Sequence, residues 1–133
     1  IGAICDANMQ FILDDVLENI QFYLGNTAIT SKKIRGFIID THLQQMFGDI
    51  EILLHSKVGD LSTGQQKKIS ILICLLKAPD LLVLDEPTVG LDVTSKSCLT
   101  QFLNGYKLNH IVLIVSHEPI FEEISTKTIN ISN

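Results

Sequence analysis

Two uninterrupted apolar runs govern what this chain can fold into. Leu81-Leu82-Val83-Leu84 and Ile111-Val112-Leu113-Ile114-Val115 show no polar alternation. Each therefore reads as a strand buried on both faces, not as one half open to water. Strands of that kind belong to parallel sheets, and parallel neighbours need a crossover between them, usually a helix. Residues 94–106 supply one, with Cys98, Leu99, Phe102, Leu103 and Tyr106 at helical spacing. Ahead of the first run, residues 63–77 read as a helix capped by Ser62 and ended by Pro79, which restricts Ala78 before it. A short helix from Pro119 and a last strand over residues 128–131 complete the expected order. Helix, strand, helix, strand predicts an α/β fold with a parallel sheet covered on both faces.

The first sixty residues read differently, as a mostly helical lobe. Ile1-Gly2-Ala3-Ile4-Cys5 is an apolar strand with nothing before it, and a lone strand needs neighbours; the chain is expected to be a piece of something longer. A helix follows Asp14-Asp15, with Asp15 as N-cap and Glu18 as its capping-box partner. Val16, Leu17, Ile20, Tyr23 and Leu24 share one face, and Gly25 ends the helix. A second helix is expected from Thr30 to about Phe47, with Gly36 a weak point, Gly48 the stop and Ile34, Phe37, Ile38 and Thr41 its buried stripe. Residues 49–55 form a short third helix, and Gly59-Asp60 opens a turn.

Composition excludes several classes. The 133 residues are 46% apolar and 19% charged, enough for a core and too apolar for disorder. Asp and Glu number 15 against 10 Lys and Arg, a net charge of −5, which argues against a groove that neutralises nucleic-acid phosphates. The longest apolar run, residues 71–76, falls far short of the roughly 18 residues of a membrane span. No basic and apolar leader of the secretory type is present. Cys5, Cys74 and Cys98 are odd in number, lack metal-type spacing and read as buried or free thiols of a reducing compartment.

Ligands of open parallel sheets bind at the carboxyl ends of the strands. There the first run ends in Asp85-Glu86 and the second in Ser116-His117. Adjacent carboxylates suit a Mg²⁺–phosphate site: one holds the hard cation, the other orients or deprotonates a water. The dipeptide alone would equally serve as a loop start and helix cap. Leu61-Ser62-Thr63-Gly64-Gln65 opens a helix whose N–H groups and partial positive charge accept phosphate oxygens. Gly64 weakens a plain helix start by roughly 1 kcal/mol against Ala, so glycine makes better sense if something must approach the backbone closely. Gly59 to Gly64 has the G-x-x-x-x-G spacing of a phosphate loop, but Gln65-Gln66 follows in place of Lys-Ser or Lys-Thr, and it is rejected as one.

Leu61-Ser62-Thr63-Gly64-Gln65, then residues 81–88, Gly90-Leu91-Asp92 and Ser116-His117-Glu118 resemble, in order and spacing, the ATP-binding-cassette (ABC) ATPase domain. The resemblance implies a P-loop NTPase-type parallel sheet, incomplete here, with an α-helical subdomain inserted before the signature motif. Residues 1–6 would be the strand into the glutamine loop, 7–60 the helical subdomain, and 61–133 the signature helix, Walker B, D-loop and switch-histidine part of the catalytic lobe. It further implies that Ser62, Thr63, Gly64 and Gln65 contact the γ-phosphate of ATP held by a second subunit, with Lys68 as the basic residue after the signature. Asp85 becomes the Walker B aspartate on Mg²⁺, Glu86 the general base, Asp92 the inter-subunit loop aspartate and His117 the switch histidine. His42, His55 and His110 lack such context and read as surface residues.

Two departures stand out. Asp6 falls where the family has the glutamine-loop Gln, and the Walker A loop and adenine-stacking aromatic, upstream in the family, have no counterpart in this sequence. The implied activity is that of an ATP-hydrolysing transporter subunit. It would work as a homo- or heterodimer with transmembrane subunits, without nucleic acid, in the cytoplasm at the membrane face. These 133 residues alone are expected to be inactive. A soluble ABC ATPase of DNA repair or translation and a non-catalytic ABC-derived interaction domain are the alternatives.

Overall fold

The computed structural model describes residues 4–7 and 9–130, the first three of these by backbone alone. The elements run β1 (Ile4–Asp6), α1 (Val16–Leu24), α2 (Ser31–Asp40), α3 (Gln44–Phe47), α4 (Ile50–Leu54), a 3-10 turn (Val58–Asp60), α5 (Thr63–Lys77), β2 (Leu81–Asp85), α6 (Val93–Tyr106), β3 (Ile111–Val115) and a 3-10 turn (Pro119–Phe121). The strands pair in parallel in the order β1-β2-β3. Ile4 lies opposite Leu81 and Asp6 opposite Val83; Leu81 lies opposite Ile111 and Asp85 opposite Val115. Strand β2 is thus central, with Leu82 and Leu84 fully buried.

Helix α5 is the spine. Residues 69–75 are buried one after another, which requires partners all round the helix and not one amphipathic stripe. Helix α1 and strand β1 are among them. Val16, Ile20, Ile34 and Ile38 of the first two helices join Leu72, Leu82 and Leu99 in one continuous apolar core.

The sheet is not covered on both faces as expected. In β3 Ile111, Leu113 and Val115 are 68%, 53% and 54% exposed, and only Val112 and Ile114 pack against the core. An apolar run shows that a strand avoids water, not what covers it, and β3 has β2 as its one neighbour among the described residues.

Other departures are local. The second helix breaks in two, because His42 takes a left-handed conformation (φ 60°). There the N–H of Leu43 returns to the carbonyl of Ile38 at 2.9 Å and that of His42 to Ile39 at 3.1 Å. That is the paired closure of a Schellman motif, with buried Leu43 as its apolar partner and histidine in place of the usual glycine. Asp15 is the N-cap of α1 without a side-chain capping bond; its carboxylate pairs with Lys57 at 2.7 Å. Residues 128–130 form no strand, and Ile131 lies outside the described residues. Cys98 is a buried free thiol, whereas Cys74 is disulfide-bonded, against the free-thiol reading.

An edge strand with an exposed apolar face is a template for association. The 133-residue chain produced by itself is expected to self-associate, and Leu113→Lys to reduce that association without lowering the melting temperature. Sedimentation velocity and thermal unfolding of the two proteins check this.

Candidate functional site

The pairing of Asp85 with Val115 puts the polar ends of β2 and β3 side by side. Glu86 follows directly. Its N–H donates to the carbonyl of Val115 at 2.7 Å, and its backbone is left-handed, φ 47°. A glutamate gains nothing locally from that conformation, which costs on the order of 1–3 kcal/mol and is characteristic of functional sites. The Glu86 carboxylate is about one-third exposed, and His117 Nε2 lies 3.7 Å from its Oε1. The fold thus brings Glu86 and His117 together. Asp85 is exposed, and its backbone carbonyl accepts from Lys67 Nζ at 3.1 Å.

Ser62 and Gln65 close a capping box. Ser62 Oγ accepts from the Gln65 N–H at 3.1 Å, and Gln65 Oε1 accepts from the Ser62 N–H at 2.8 Å. The N–H groups of Thr63 and Gly64 are not used by the box. Gly64 is buried, and the close approach that glycine implied is made by the chain itself. A Cβ on Gly64 would stand 2.3 Å from the carbonyl oxygen of Gly90. Gly90 is left-handed (φ +81°), and a Cβ on it would meet the Gly64 Cα at 3.3 Å. Backbone therefore packs on backbone where the start of α5 meets the loop after β2.

Asp92 caps α6, its Oδ1 accepting from the Ser95 N–H at 3.1 Å. Hydrogen bonds from Ser95, helped by the charge of Lys68 nearby, hold the Asp92 carboxyl below its ordinary range. A cleft of about 430 Å³ opens beside these elements. Thr63, Gln66, Lys67 and Ser70 of α5 line it with Glu86, Val89, Ala7, Met9 and Phe11. Of the expected site residues, Thr63 and Glu86 share this cleft; Ser62, Gly64, Gln65, Asp85, Asp92 and His117 stand outside it. Asp6 ends β1, and its side chain lies outside the described residues.

Comparison with known proteins identifies the family. The family model described as ABC transporter matches residues 8–89. The chain belongs to the ABC transporter family. It is 46% identical over 68 residues to the high-affinity zinc uptake system ATP-binding protein ZnuC of Bacillus subtilis, covering 50% of this chain and 29% of that protein. To the ABC transporter ATP-binding protein NatA of the same organism it is 31% identical over 107 residues, 80% of this chain and 42% of NatA. The chain thus spans well under half the length of these relatives. In fold it is similar to an ATP-binding cassette solved as a dimer in a post-hydrolysis state with ADP and Pi, at TM-score 0.67 and 24% identity over 87% of this chain and 53% of that one.

Among the described residues no three His, Cys, Asp or Glu side chains gather as a metal cage. Mg²⁺ in phosphate sites uses one or two carboxylates beside phosphate oxygens and water, and the exposed Asp85 offers one such hard donor. Gly90 and Lys67 help build the site through contacts between residues distant in the sequence. The glycine motif at 90–92 was visible, but its contact with Gly64 joins residues far apart in the chain. Lys67 was indistinguishable from Lys68 beside it.

The glycine contact sets a stability prediction. Gly64→Ala forces backbone apart and is expected to destabilise by about 1–3 kcal/mol, as overpacking does. Gly36→Ala, within α2 and facing open space, is expected to stabilise by about 0.5–1 kcal/mol. Urea denaturation of both variants gives the comparison.

Proposed function

We propose that this chain is the signature, Walker B and switch-histidine part of an ATP-hydrolysing subunit that powers a membrane transporter. The observation that supports it most is the strained Glu86 with His117 3.7 Å from its carboxylate, at the ends of adjacent parallel strands. Glu86 is the general base: its carboxylate accepts the proton of a water that attacks the γ-phosphate. His117, almost fully exposed, faces that phosphate and orients the water with Glu86. Asp85 holds Mg²⁺, which when bound neutralises phosphate charge. Residues 7–60 form the helical subdomain and residues 61–133 this part of the catalytic lobe.

Ser62, Thr63, Gly64 and Gln65 present a helix N-terminus to the ATP of a second ABC subunit, and Asp92 lies in the inter-subunit loop. Asp6 is the glutamine-loop position. The resemblance to a cassette solved as a dimer, and the names of the transport relatives, support a dimer with transmembrane partners at the cytoplasmic face of a membrane. No described helix is long and apolar enough to cross one.

Loss of a general base commonly costs about 10²–10⁴ in rate. Glu86→Gln in the complete gene product is therefore expected to lower ATP turnover by about that factor while an ATP-bound dimer accumulates. Turnover equal to the unmodified protein would place the base elsewhere. The 133 residues alone carry no G-x-x-x-x-G-K-[Ser/Thr] cradle. Calorimetry is expected to detect no micromolar MgATP binding to them.

A further inference from the structure

His117 raises a question of restraint. Its side chain is 99% exposed, so packing does not hold the ring, and 3.7 Å to Glu86 is too long for a hydrogen bond. What fixes the imidazole must therefore act on the backbone that carries it. The flanking residues do so. Ser116 Oγ accepts from the Glu118 N–H at 2.9 Å, closing a tight turn around His117. Beyond it, Glu118 Oε1 accepts from Lys96 Nζ at 2.8 Å, with both side chains only about one-third exposed.

Lys96 stands early in α6, its N–H bonded to the carbonyl of Asp92 at 3.0 Å. Thr88, fully buried in the loop between Glu86 and α6, has its Oγ1 out of water and without a hydrogen-bond partner in contact. The hydrogen bond and charge of Lys96 hold the Glu118 carboxyl below its ordinary range. One charge pair thus bridges the segment that carries His117 to the helix whose cap follows Glu86 in the same loop.

We propose that Lys96 and Glu118 are a positioning pair that holds the Ser116–His117–Glu118 turn so that His117 faces Glu86. Neither touches the reacting atoms. An ion pair still partly open to water contributes modestly to stability, so the pair acts mainly through placement, and its loss should appear in turnover more than in folding. The proposal rests on the reading of Glu86 and His117 as catalytic groups.

The test is steady-state ATP hydrolysis by the complete gene product and its variants. Lys96→Met is expected to lower kcat by about ten- to a hundredfold, the range for a misplaced catalytic group, with KM for ATP and the melting temperature unchanged. Glu118→Gln, which keeps shape and loses charge, is expected to do the same and serves if Lys96→Met does not fold. Lys96→Arg, which keeps the charge, should restore most of the rate. In a His117→Ala background, Lys96→Met should cause no further loss. Normal kcat in both Lys96→Met and Glu118→Gln, or an undiminished second loss without His117, overturns the positioning role while leaving the ATPase reading intact. Normal turnover in His117→Ala overturns the catalytic reading of that histidine, and this proposal with it.

Discussion

Burial of helix α5 on every side is the constraint from which the rest of the structure follows. Residues 69–75 leave no face to water, so the helix can neither rotate nor slide without exposing leucine or isoleucine, each worth about 1.5–3 kcal/mol when fully buried. Its first turn inherits that fixity. The capping box of Ser62 and Gln65 then determines where the chain enters, and the N–H groups of Thr63 and Gly64 point where the anchored helix aims them. Lys67, one turn further on, reaches the end of β2 through the carbonyl of Asp85. A helix serving as an anion-binding end needs this kind of preorganisation, because a fraying terminus loses the alignment of its donors.

The contact between Gly64 and Gly90 carries this fixity to the loop after β2. Any side chain at either position would separate two backbones that touch. Glu86, at the start of the same loop, keeps its left-handed backbone, and strain of that kind persists only where the surroundings over-determine it. Three restraints do so: the hydrogen bond from Glu86 N–H to Val115, the glycine contact, and the cap of Asp92 on α6. The glycine at position 64 is accounted for by this internal packing without any ligand. What it secures is a helix start that lies against the loop.

Much of this architecture was legible in the sequence, and the misses share a cause. The apolar runs marked β2 and β3, Ser62 and Pro79 bounded α5, and Gly25 ended α1, because each signal is local. What failed depended on contacts between distant residues. The pairing of Asp15 with Lys57 displaced the expected capping box with Glu18. His42 ended α2 where no glycine announced it, since the gain comes from burying Leu43. Asn19, a polar residue on an apolar helical face, is fully buried and bonds the N–H groups of Ile12 and Leu13 and the carbonyls of Leu13 and Asp15. It thereby shapes the segment from β1 to α1. Of the site, Glu86 and His117 were readable as strand-end residues. Lys96 and Gly90 were not readable as their supports.

A division among the polar residues follows from these contacts. Asp92 spends a carboxylate oxygen on its own helix, Lys67 on a backbone carbonyl, and Lys96 and Glu118 on each other. Groups committed in this way are poor candidates for binding a ligand, since each would have to give up a partner first. Among the described residues the side chains of Glu86 and His117 have only one another, at a distance too long for a hydrogen bond. Without a close partner, the carboxylate can accept from a water O–H, and the imidazole can bond a separate oxygen. The bracing contacts thus hold the segments that carry Glu86 and His117 while leaving both side chains unsatisfied, a condition that the proposed hydrolytic role requires.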